Sequence, residues 1–103
     1  MDKETAKIIK SFANKVSEKY KAKVILFGSR ARGDNFKKSD FDFLIISEKF
    51  KKIPYPIRAS GLYDFWDYPI DFEPLCLTPD EFERKKKQIG TIRQADKEGI
   101  LVN

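Results

Sequence analysis

Apolar side chains recur at three- and four-residue steps over residues 2–20, at Ile8, Ile9, Phe12, Ala13, Val16 and Tyr20, with lysines opposite. That period predicts an amphipathic helix with one face on a core. The pattern then changes. Residues 23–27 (K-V-I-L-F) are apolar on both faces, which predicts a central strand covered on both sides. Gly28 punctuates the run. Ser29 stands where it can cap a short helical turn through Ala31 and Arg32, and Gly33-Asp34-Asn35 signals a turn. Residues 40–47 (D-F-D-F-L-I-I-S) predict a second strand. Alternation puts Phe41, Phe43 and Ile45 on one face, and Asp40, Asp42, Leu44 and Ile46 on the other.

The second half carries more punctuation. Residues 48–56 read as a basic loop with Pro54 and Pro56. Residues 57–67 predict a helix with Ile57, Leu62, Phe65 and Trp66 inward, although Gly61 weakens it. Residues 69–77 predict a third strand, ended or placed at an edge by Pro74. Thr78-Pro79-Asp80-Glu81 combines an N-cap, a first-turn proline and acids near the positive helix end. The helix it opens runs to about Gln88. A short helix follows near 91–98, and Ile100-Leu101-Val102 is a last strand or a packed tail. Nothing repeats and no linker intervenes. The expectation is one domain over residues 1–103, of α/β (α+β) class, with a small mixed sheet and flanking helices.

Composition narrows the chemistry. Of 103 residues, 41% are hydrophobic and 14% aromatic, enough for a packed core. No apolar run nears the roughly 20 residues of a membrane helix, and the charged N-terminus lacks a signal-peptide stretch, so a cytoplasmic protein is expected. There is no histidine, which removes Ser-His and Cys-His catalysis within this chain and any His-ligated zinc. Cys76, the one cysteine, forms no intramolecular disulfide or multi-thiolate metal site. Carboxylates remain as the reactive groups, and they favour hard cations such as Mg²⁺. A formal charge of +5 suits an anionic partner, or simply a solvated surface.

The carboxylates are grouped. Asp40 and Asp42 point to the same strand face, with Cα atoms roughly 6.6 Å apart. They sit at one end of a strand whose remainder is apolar, where adjacent like charges are costly unless a cation offsets them. Gly28-Ser29, between a strand and a helical turn, presents free N–H groups of the kind that attract phosphate. Asp71 is a third carboxylate for metal binding or proton acceptance, and Glu73 competes with it by sharing its face.

The segment from Gly28 to Asp42 (G-S-R-A-R-G-D-N-F-K-K-S-D-F-D) has G-S, ten residues, then D-x-D. It resembles the DNA polymerase β-like nucleotidyltransferase superfamily, and its G-S-R-A-R-G form is similar to the minimal nucleotidyltransferase (MNT) branch. The resemblance implies that fold, with Gly28 and Ser29 holding a triphosphate and Asp40 and Asp42 ligating Mg²⁺. It favours Asp71 over Glu73 as the third carboxylate, serving the metal and deprotonating the acceptor. Arg30, Arg32 and Ser39 become candidates for phosphate contact, with a surface structural role as the competing reading of Arg32. It further implies ATP as donor and a HEPN ribonuclease toxin as partner, silenced by AMP transfer to a tyrosine, so that the chain acts as an antitoxin. Three rival readings stand: an antitoxin that works by binding alone, a small basic nucleic-acid-binding domain, and a transferase that modifies a small molecule or an RNA end. The second explains the charge but not the acidic pair, which repels phosphate without metal.

Overall fold

The first helix, α1 (Lys3–Tyr20), begins where the sequence supplies a cap. In this computed structural model, which describes residues 1–103, the Asp2 carboxylate accepts the Thr5 N–H at 2.8 Å. Such a cap contributes about 1 kcal/mol. Ile9, Phe12, Ala13, Val16 and Tyr20 form the buried stripe that the periodicity predicts. No helix is long and apolar enough to cross a membrane.

The stripe lies on a four-stranded mixed sheet in the order β3-β2-β1-β4. β1 (Lys23–Phe27) and β2 (Phe41–Ile46) are antiparallel, with Phe27 opposite Asp42. β3 (Phe72–Leu77) runs parallel to β2 and sets Glu73 opposite Asp42. The short β4 (Ile100–Leu101) pairs antiparallel with β1. Alternation along β2 divides the core as expected. Phe41, Phe43 and Ile45 face α1, where the Phe12 ring stands 4.9 Å from Phe43 and 5.2 Å from Trp66 and from Phe72. Leu44 and Ile46 join Phe27 and Leu77 on the other face. Two helices cover that face: α3 (Pro79–Lys85), through Phe82, and α4 (Thr91–Glu98), through Ile92 and the buried Ala95.

Four local expectations need correction. Residues 57–67 are not an α-helix. The β2–β3 crossover is built from three 3₁₀ turns, Glu48–Lys52, Tyr55–Gly61 and Tyr63–Phe65. With Pro56 in its opening turn and Gly61 at its end, this stretch is short and weak as an α-helix, and Arg58 rather than Ile57 turns inward. The third strand starts at Phe72, so Asp71 precedes it, with its carbonyl accepting the Phe41 N–H at 3.0 Å. α3 keeps the predicted Thr78 N-cap, which Glu81 completes as a capping box, but stops at Lys85, because residues 86–89 offer only the exposed Ile89 to a core. The N-cap of the four-residue α2 (Ser29–Arg32) is Gly28, not Ser29, and no side chain caps it.

Candidate active site

Three chain segments meet at one end of the sheet: the exit of β1, the entry of β2 and the entry of β3. The helices α3 and α4 cover Leu44 and Ile46 but leave this end open. Gly28 turns the chain here with φ 76° and ψ −158°, a region that side chains avoid. A Cβ at Gly28 would lie 2.5 Å from Oδ2 of Asp42. Glycine therefore does two things: it permits the turn, and it lets backbone pass directly over a carboxylate. The N–H groups of Ser29 and Arg30 follow in the first turn of α2, where a helix has no acceptors of its own.

Asp42 and Glu73 are paired across β2 and β3, so their side chains share a face, and Asp40 stands at the same end. Burial pushes the Asp42 carboxyl up from its ordinary value; the Asp40 charge adds to this, and Arg32 works against it. Burial also raises Glu73, reinforced by the charges of Asp42 and Asp40. Negative charge is thus concentrated here beyond what neighbouring cations offset. The donors are all hard oxygens, and a divalent cation would relieve their repulsion, so the chemistry fits Mg²⁺. No three acidic side chains converge closely enough to enclose an ion by themselves. That suits a cation which takes one or two carboxylates and completes its shell with water and phosphate.

Glu73 forms a ridge between two clefts. One, of about 490 Å³, contains Asp42 and runs beneath α3 and α4. The other, of about 470 Å³, contains Asp40 and Asp71 beside Tyr63, Trp66 and Phe72. Asp71 therefore lies at this end of the sheet but on the far side of the ridge from Asp42.

The remaining motif residues divide. Arg30 donates from Nε and Nη2 to the Ser39 carbonyl at 3.1 and 2.8 Å, and from Nη2 to Lys37 O at 2.9 Å. Its guanidinium also lies over Phe41 at 4.1 Å. These bonds fix the loop that delivers Asp40. Arg32 is half-exposed and pairs with Asp34 at 3.2 Å and Glu98 at 3.4 Å. The Ser39 hydroxyl accepts the Phe36 N–H at 3.1 Å. Cys76 is buried, and burial pushes its thiol up to about 12, so it offers no thiolate at neutral pH.

Sequence reasoning passed over Lys85, which reaches the first cleft from α3. Its place depends on where that helix ends and how it packs, and no local pattern records either.

Known proteins resemble this chain in sequence and fold. A family model described as a nucleotidyltransferase domain matches residues 9–101. Two relatives come from Methanocaldococcus jannaschii, both named provisionally as protein adenylyltransferases. One is 49% identical over 45 residues, 41% of this chain and 45% of its own length, so the match spans less than half of that relative. The other is 40% identical over 92 residues, covering 78% of this chain and 93% of the relative. A crystal structure from Sulfolobus solfataricus, described provisionally as a nucleotidyltransferase, superposes with a TM-score of 0.66 at 25% identity. It covers 95% of this chain and 78% of that one.

Proposed function

This chain belongs to the nucleotidyltransferase domain family and is a transferase, and from that premise we propose that it moves AMP from ATP, with Mg²⁺, onto an acceptor hydroxyl in the cytoplasm. The acceptor in this reading is a tyrosine of a HEPN-type ribonuclease toxin, which the chain silences as its antitoxin. The observation that carries the chemistry is the Gly28 turn laid against Asp42, at the point where Asp40 and Glu73 gather further negative charge. The protein names of the Methanocaldococcus relatives support a protein acceptor. The toxin rests on the resemblance of the G-S to D-x-D segment to MNT antitoxins.

Each residue then has a task. Backbone N–H groups at Gly28 and Ser29 hold the terminal phosphates, and the Ser29 hydroxyl adds a donor. Asp40 and Asp42 would hold Mg²⁺, while Asp71, expected from the sequence as a third ligand, lies across the Glu73 ridge from Asp42 and is kept for the acceptor. Bound to Asp40 and Asp42, Mg²⁺ would supply positive charge against the negative charge that develops on phosphate during displacement. Asp71, in the aromatic-lined cleft, orients the attacking hydroxyl and takes its proton. The hydroxyl oxygen bonds to the α-phosphorus, the α–β bridging bond breaks, and pyrophosphate leaves. Arg30 contributes by holding the Asp40 loop. In this reading Arg32, half-exposed and near enough to Asp42 to oppose its raised pKa, meets phosphate by leaving its surface pairs with Asp34 and Glu98.

Incubation with α-labelled ATP, Mg²⁺ and a candidate toxin tests this. Label on a toxin tyrosine, lost when that tyrosine becomes phenylalanine, is the expected result. A stable complex that carries no label would overturn it. Neutralisation that survives Asp42→Ala would assign silencing to binding alone.

A further inference from the structure

The cleft on the Asp42 side of the ridge is more extensive than phosphate transfer requires. Its volume, about 490 Å³, lies within the range of small-molecule sites. Phe27, Leu75 and Leu77 form an apolar floor, and Ile92 faces them from α4. Lys85 and Thr91 stand in the same lining, at the end of α3 and the start of α4. Both are free of other duties. Lys85 is exposed and takes part in none of the ion pairs, and α4 begins at Gly90 with φ 147° and no side-chain cap. The cleft therefore has carboxylate at one end, apolar walls along its length, and an uncommitted cation and hydroxyl.

We propose that this cleft is the nucleoside half of the donor site. The base lies between the apolar walls, and Lys85 donates to an acceptor atom on the base edge beside Thr91. This deepens the nucleotidyltransferase reading and rests on it. Two observations assign the cleft to the donor rather than the acceptor. Only the donor must reach Asp42 and the Gly28 turn together, and Asp42 lines this cleft but not the opposite one. The opposite cleft holds Asp71, the residue placed to take the acceptor's proton. An ammonium donates and never accepts, whereas a threonine hydroxyl does both, so the pair requires an acceptor atom on the base edge at Lys85 and takes either a donor or an acceptor beside it.

The test compares dissociation constants for ATP and for tripolyphosphate, both with Mg²⁺, in the wild type, Leu75→Trp and Lys85→Met. Leu75→Trp fills the cleft and should weaken ATP by about tenfold or more, with tripolyphosphate binding unchanged. Lys85→Met alters an exposed position, so folding is retained, and a matching melting temperature confirms it. It should weaken ATP about tenfold and change the ranking among the four nucleoside triphosphates. Equal weakening of tripolyphosphate in Lys85→Met would make Lys85 a phosphate ligand and overturn the proposal. So would unchanged ATP affinity with a raised KM for the acceptor. A wild type that binds neither ligand would instead overturn the nucleotidyltransferase reading, and the proposal with it.

Discussion

Two glutamates mark the two ends of β3, and their surroundings are opposite. Glu81, one turn into α3, receives Arg58 at 2.6 and 3.3 Å and the Thr78 N–H at 2.8 Å. These bonds hold its carboxyl well down, at about 2. Arg58 is only 6% exposed and also donates to Ile53 O and Cys76 O, so every donor direction it uses is answered. Glu73, at the start of the same strand, faces Asp42 and Asp40, and burial and those charges push it up. The compensated carboxylate is architecture: it staples the crossover to α3. The uncompensated one leaves a charge imbalance for a ligand to correct, which is a recurring mark of functional sites.

The strongest way to break this comparison is Asp42→Asn. Transfer should fall on the order of 10³-fold, while the melting temperature of the ligand-free protein holds or rises, because a repelled charge has gone. A melting temperature several degrees lower would make the Asp42 carboxylate structural. Next comes Arg58→Met, which leaves Glu81 without its cation. It should cost about 3 kcal/mol in chemical denaturation and leave transfer per folded molecule unchanged. Gly28→Ala should be intermediate, about 2 kcal/mol from the strained backbone. It should also lower nucleotide affinity, because the new methyl meets Asp42. The smallest effect at any one pH is gradual. Glu81 sits below its ordinary value of 4.5 when folded, so its contribution is complete above that pH. It drains away as pH falls towards about 2. Glu81→Gln should flatten that part of an acid-unfolding curve.

What the sequence discloses follows from how local each feature is. The D-x-D spacing, the glycine before Ser29 and the Thr78 N-cap are each local and can be read from spacing, although Asp40, expected inside the second strand, falls one residue before β2. The Arg58–Glu81 staple joins residues 23 apart through a crossover whose turns follow no helical period. Arg58 looks like any surface arginine until Cys76 and Ile53 are brought beside it. The contest between Asp71 and Glu73 turns on the register of a parallel pairing. Alternation puts both on one face, but only the pairing sets Glu73 across from Asp42 and leaves Asp71 outside the strand. Among the aromatics from Tyr55 to Tyr68, Trp66 is accounted for by packing, since Phe12, Phe43 and Phe72 all contact it.

Pro74 sits in the middle of β3, the outer strand beside which both clefts open. It has no N–H to offer, and two residues on, the Cys76 carbonyl is already taken by Arg58. An incoming peptide that tried to extend the sheet here would meet a missing donor and an occupied acceptor in quick succession. A protein acceptor is thereby denied the simplest mode of docking, strand addition. A protein acceptor, as proposed, would instead present a projecting loop or a chain end, offering one side chain to the ridge while its own backbone stays clear.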